Sequence, residues 1–103
     1  MKKNDGRFDF STILWYHVFM NAKNGKILKD IFARPVLSGV LWSDVEALLI
    51  SIGAEIIEGR GSRVRIALNG VRAVFHRPHP QKETDKGSLS SMRRFLETAG
   101  VKL

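Results

Sequence analysis

The sequence predicts an α+β domain: a three-stranded antiparallel sheet with helices packed on one face. Three observations predict it. Residues 43–52 and 88–99 carry apolar side chains at helical spacing. Residues 63–68 and 71–76 alternate apolar and polar, the period of a strand with one buried face. Asn69-Gly70 separates those two runs, and that dipeptide is the strongest short hairpin signal because both residues tolerate positive φ.

Taken in order, residues 23–33 read as a short helix. Ile27, Leu28, Ile31 and Phe32 share one face, while Lys23, Lys26, Lys29 and Asp30 take the other. Arg34-Pro35 stops it, since the residue before proline is pushed out of the α region. Residues 36–41 form a linker. The helix over 43–52 opens on Ser43 and Glu46, a capping-box pattern, and buries Val45, Leu48, Leu49 and Ile52. Gly53 closes it. A short strand over 54–58 follows, then the turn Gly59-Arg60-Gly61-Ser62. The hairpin directs Val64, Ile66, Leu68, Val71, Ala73 and Phe75 to the core, and Arg63, Arg65, Arg72 and His76 away from it. Residues 77–87 form a proline-bearing loop. The last helix, over 88–99, buries Leu89, Met92, Phe95, Leu96 and Ala99 and closes at Gly100. Neither amphipathic helix can bury its stripe alone, so both must pack on one sheet face. The resulting α-β-β-β-α order is that of double-stranded-RNA-binding domains, with one extra helix in front. Periodicity does not decide whether that extra helix belongs to the fold or docks a partner.

A chain of 103 residues supports one domain with a short appendage. Residues 42–103 are the main domain, 20–41 an N-terminal helix and linker, and 1–19 an extension unlike the rest. The pI is about 10.3. All of the net charge of +7 lies in residues 59–103, which hold ten Lys/Arg against three Asp/Glu, while residues 1–58 hold seven of each. The expected partner is therefore a polyanion docking on the C-terminal half. The absence of cysteine excludes disulfides and thiolate metal sites and suits a reducing cytoplasm. No apolar run reaches the roughly 18 residues of a membrane span. Met1-Lys2-Lys3 and the apolar run from Ile13 to Met20 imitate an export signal, but Asp5, Arg7 and Asp9 interrupt the approach and Asn21-Ala22-Lys23 is a poor cleavage site. Export is not expected, and Met20 offers an alternative start.

The chemistry concentrates in the basic half. A neutral histidine accepts the 2′-hydroxyl proton of RNA, and an imidazolium donates one to the leaving oxygen. His76 and His79, among Arg63, Arg65, Arg72 and Arg77, supply that chemistry together with cations to stabilise a phosphorane-like transition state. The competing reading is a packed His76 and a loop His79. No acidic residue interrupts 59–82, which weakens the competing reading of the arginines as an ordinary solvated strand face. Gly59-Arg60-Gly61-Ser62 is either a phosphate-holding nest or simply a tight turn. Arg93 and Arg94 read as exposed helix residues, and His17 receives no role. No carboxylate or cysteine stands at ligand spacing from His76 and His79, so no metal or other cofactor is expected.

Several segments in order resemble the HicA family of toxins: Trp42-Ser43-Asp44-Val45-Glu46-Ala47-Leu48-Leu49, Gly53-Ala54-Glu55, Gly61-Ser62-Arg63, Phe75-His76-Arg77-Pro78-His79-Pro80, Lys86-Gly87 and Ala99-Gly100-Val101. The resemblance runs from about residue 20 to the C-terminus. It implies a double-stranded-RNA-binding-like fold and a type II toxin that binds and cleaves mRNA independently of ribosomes. It further implies a HicB antitoxin that binds the toxin and masks its site. By the same resemblance the region of Gly61, Ser62, Pro78 and His79 is expected to contact RNA; charge adds Arg63, Arg65, Arg72, Arg77 and Lys86 to the expected RNA contacts, and side-chain chemistry makes His79, His76 and Arg63 the catalytic candidates. One position departs from the family: Arg63 follows Gly61-Ser62, where well-known members carry the histidine taken as catalytic. Arginine stays protonated and cannot act as a general base. Catalysis has then moved to His76 or His79, or Arg63 acts only through its charge, or the chain binds RNA or an antitoxin without cutting. On the first reading His79→Ala abolishes toxicity.

Overall fold

A computed structural model of the protein describes residues 20–103. The readings made on residues 1–19, including the rejected export signal and His17, lie outside the described residues. Within them the order is α1 (Ala22–Phe32), α2 (Trp42–Ser51), β1 (Glu55–Glu58), β2 (Arg63–Leu68), β3 (Val71–His76) and α3 (Lys86–Thr98). The sheet is antiparallel in the order β1-β2-β3. This is the α+β, double-stranded-RNA-binding-like arrangement with an extra helix in front.

Alternation in the two long strands sets the layers. Val64, Ile66 and Leu68 of β2 are buried, with Phe75 of β3, while Arg63, Arg65, Arg72, Val74 and His76 are exposed. Helices α2 and α3 pack on the buried side, and α1 packs on those two helices. Val45, Leu48 and Leu49 of α2 and Leu89, Met92 and Leu96 of α3 have no accessible surface. Trp42, Phe75 and Phe95 run through this layer, with ring centroids 6.0 Å and then 6.1 Å apart, so one aromatic line joins α2, β3 and α3. Among the described residues, no helix packs on the opposite sheet face.

The open question about the first helix is answered by its packing. Asn21 caps α1, accepting from the Asn24 N–H at 2.7 Å. Ile27, Leu28 and Ile31 then enter the same core as the other helices, and Lys23 reaches Asp44 of α2 at 3.2 Å. The helix is a structural layer of this fold.

At the hairpin, Asn69 and Gly70 take φ of 51° and 81°, as a primed two-residue turn requires. The Asn69 amide also donates to the Ala99 carbonyl at 2.9 Å, fastening the hairpin tip to the end of α3. Helices α2 and α3 both end with an N–H reaching back five residues, from Ala54 to Leu49 and from Val101 to Leu96.

One local expectation is corrected. Ser43 and Glu46 do not form a capping box: α2 begins at Trp42 on an N-cap, Leu41, that makes no side-chain cap bond. Glu46 instead accepts from the Trp42 indole N–H and from Arg77, because a charge-assisted bond to a guanidinium outweighs a bond to a solvated backbone N–H. The linker and the proline loop are also less independent than their composition suggests. Trp42 N–H donates to Lys82 O at 3.0 Å and Thr84 N–H to Val40 O at 2.7 Å, around a bridge between Leu41 and Glu83.

Because Leu28 is 2% exposed within the shared core, Leu28→Ala should destabilise the protein by about 2–5 kcal/mol in a urea unfolding titration. A cost near zero would mean that α1 is an appendage.

Candidate nucleic-acid interface

The turn between β1 and β2 brings the backbone into an unusually tight course. Gly59 N–H donates to Arg63 O at 2.8 Å, and a Cβ on Gly59 would stand 3.0 Å from that same oxygen. Gly61 takes φ of +59°, in the left-handed region that side chains disfavour. Both glycines are therefore required by the turn that leads into β2. Ser62 and Arg63 emerge from it onto the open side of the sheet, and both are exposed.

There they meet β3. Arg63 pairs with His76, Arg65 with Val74 and Ala67 with Arg72 across the two strands. The two-residue hairpin makes Leu68 and Val71 a hydrogen-bonded pair, so Ala67–Arg72, Arg65–Val74 and Arg63–His76 are the non-hydrogen-bonded pairs, whose side chains approach more closely. Ser62 Oγ lies 3.5 Å from His76 Nδ1, at the long end of hydrogen-bonding distance. Ser62, Arg63 and His76 thus form one cluster at the rim of the sheet. Arg65 continues the basic row between exposed Ile57 and Val74, over a shallow hollow of about 330 Å³ that Arg72 also lines.

The remaining expected residues lie elsewhere. His79 sits in the loop after β3 and lines a separate hollow with Trp42, Ser43, Pro80 and Lys82. Lys86 is the first residue of α3, exposed beside its cap Asp85. Arg77 is the clearest surprise. Its guanidinium donates to Glu46 Oε2 at 2.8 Å and to Glu58 at 2.5 and 2.7 Å. The acid-free run around it in sequence is misleading, because the packing of α2 and the end of β1 brings two carboxylates to it. Its own N–H donates to Ser62 O at 2.8 Å. Arg77 therefore ties α2, β1 and the Ser62 turn together, and its charge is already matched. The bonds to Glu58 and then Glu46 raise its pKa further, and bonding from Arg77 holds the Glu58 carboxyl below its ordinary value against a weaker opposing effect of desolvation. Sequence reasoning missed this role of Glu46 and Glu58, and no local signal announces it.

Among the described residues, no group of three or more His, Asp or Glu comes together as a metal-ligand set. No described helix is long and apolar enough to cross a membrane.

Fold and surface define a small α+β domain with a double-stranded-RNA-binding-like core and a basic open sheet face. The family model described as HicA toxin of bacterial toxin-antitoxin matches residues 42–101. The chain belongs to the HicA toxin family, whose members are generally mRNA-cleaving toxins. No curated protein and no solved structure compared with it matches.

The lowered pKa of Glu58 has a pH signature. A carboxylate whose folded pKa lies below its unfolded value of about 4.5 adds stability that is present above that value and is lost as pH falls through the folded pKa. Arg77→Ala should remove this acid-side loss and lower stability at neutral pH by about 1–2 kcal/mol, because Glu46 loses its charged partner and keeps only the Trp42 indole. Urea midpoints measured between pH 7 and 3 check it: the difference between wild type and variant should shrink as pH falls.

Proposed function

We propose that this protein is an mRNA-cleaving toxin of a toxin–antitoxin pair, acting in the cytoplasm, with His76 as its proton-transfer group and Arg63 as its electrostatic one. The observation that carries the reading is the cross-strand pair of Arg63 with His76 beside Ser62. Arg63 occupies the position after Gly61-Ser62 where the resemblance leads one to expect the catalytic histidine. An imidazole is thus retained at this spot by crossing from β2 to its neighbour strand. His79 lines a different hollow, which favours His76 over it.

The chemistry needs only these groups. With Nδ1–H donating to Ser62 Oγ, the free Nε2 of His76 accepts the 2′-hydroxyl proton. The 2′-oxygen attacks the adjacent phosphorus, and Arg63 stabilises the charge that builds on the phosphoryl oxygens. The bond from phosphorus to the 5′-oxygen breaks, and the imidazolium returns its proton to that oxygen. The products are a 2′,3′-cyclic phosphate and a 5′-hydroxyl end. Arg65 and Arg72 hold neighbouring phosphates along the open face. Arg77, matched by Glu46 and Glu58, serves the site by positioning the Ser62 turn rather than by gripping phosphate. A HicB-like antitoxin neutralises the toxin.

The arginine at position 63 favours one competing reading, an RNA-binding protein that does not cut. Both predict salt-dependent RNA binding, and cleavage separates them. His76→Ala should reduce mRNA cleavage by about 10²–10⁴-fold with RNA affinity and fold retained, while His79→Ala should stay active. Purified protein with a defined transcript, read by end mapping, checks both. Intact RNA with wild-type protein would leave the non-cutting reading standing. A fully active His76→Ala would remove His76 from the mechanism. Arg65→Ala should lower RNA affinity and reduce the slope of log K against log salt by about one charge's worth, measured by filter binding.

A further inference from the structure

A groove of about 950 Å³ runs along the free edge of β3. It is bordered by all six residues of that strand and, across the way, by one side of α3, including Ser88, Ser91, Arg94 and Thr98. Successive strand side chains point to opposite faces of a sheet. A hollow touching six in a row therefore follows the backbone edge itself.

Hairpin parity decides which backbone groups look into it. Leu68 and Val71 form a hydrogen-bonded pair, and the 2.8 Å bond from Arg77 N–H to Ser62 O continues the same parity at the far end. Residues 71, 73 and 75 thus direct their N–H and C=O groups to β2. Arg72, Val74 and His76 direct theirs outward, and among the described residues β3 pairs with no strand on that side. Such a row of unpaired groups is a template for another strand.

Charge selects the occupant. Arg72 and Arg94 border the groove, against the single carboxylate of Asp85, which already accepts the Ser88 N–H and hydroxyl. Val74, 53% exposed, gives the edge an apolar contact. We propose that the β3 edge binds an extended, acidic protein segment, which joins the sheet as a fourth strand. The proposal rests on the toxin–antitoxin reading for the existence of a protein partner, and adds the surface, the mode and the charge. A second copy of this chain, at net +7, would meet the same cations across the seam. A nucleic-acid strand does not present alternating N–H and C=O groups at the two-residue repeat of about 6.8 Å that the edge requires.

The test follows backbone amide exchange by NMR on the full chain. The probes are a capped decapeptide alternating Glu and Val, its Lys–Val counterpart, and a single-stranded DNA decamer. The Glu–Val peptide should slow exchange at Arg72, Val74 and His76, and the Lys–Val peptide should not. Val74→Pro removes the central outward N–H without touching the bonds to β2, and should weaken peptide binding about fivefold to tenfold. Arg94→Glu, on the exposed side of α3, should weaken it comparably and guards against misfolding of the proline variant. Absent protection, equal protection by both peptides, protection by the DNA decamer instead, or protection that grows with protein concentration alone would each overturn the proposal. No probe is cleaved, so failure of the nuclease reading leaves this result unaffected.

Discussion

Burial of one face of a three-stranded sheet is the constraint on which the rest depends. Val64, Ile66, Leu68 and Phe75 are withdrawn from water beneath α2 and α3, on which α1 packs in turn. Because strand side chains alternate, that burial forces Arg63, Arg65, Arg72 and His76 together onto the other face. The basic surface is thus a by-product of the core. A one-residue slip of β2 would bury arginines and expose the aliphatic set, so register and function are protected by the same hydrophobic energy.

A second layer of order comes from Arg77. Surface ion pairs usually contribute little, but this guanidinium bonds two carboxylates from different elements, and Glu46 is also held by the Trp42 indole. The Trp42 ring in turn packs on Phe75, one residue before His76. The network therefore connects the core to the turn carrying Ser62 through bonds that have direction, which apolar packing lacks. Among the described residues no strand covers the β3 edge beside His76, and a groove lies between that edge and α3.

Much of the fold was legible in the sequence. Both long strands and the Asn69-Gly70 turn stand where alternation and turn chemistry put them, since these are signals between near neighbours. The helices agree to within a residue or two. The capping box failed because a local pattern cannot register that a guanidinium thirty-one residues away competes for the same carboxylate. The acid-free stretch around Arg77 misled for the same reason.

By itself, the sequence determined the element order, the core face of each strand and the concentration of positive charge in the second half, all of which follow from spacing and composition. It also exposed the arginine after Gly61-Ser62, which separates this chain from the usual family pattern. Tertiary structure alone decided that α1 is part of the core, that Arg77 is neutralised, and that His76 rather than His79 shares a rim with Ser62 and Arg63. Each of these depends on contacts between residues distant in the chain, and only the folded backbone sets those distances.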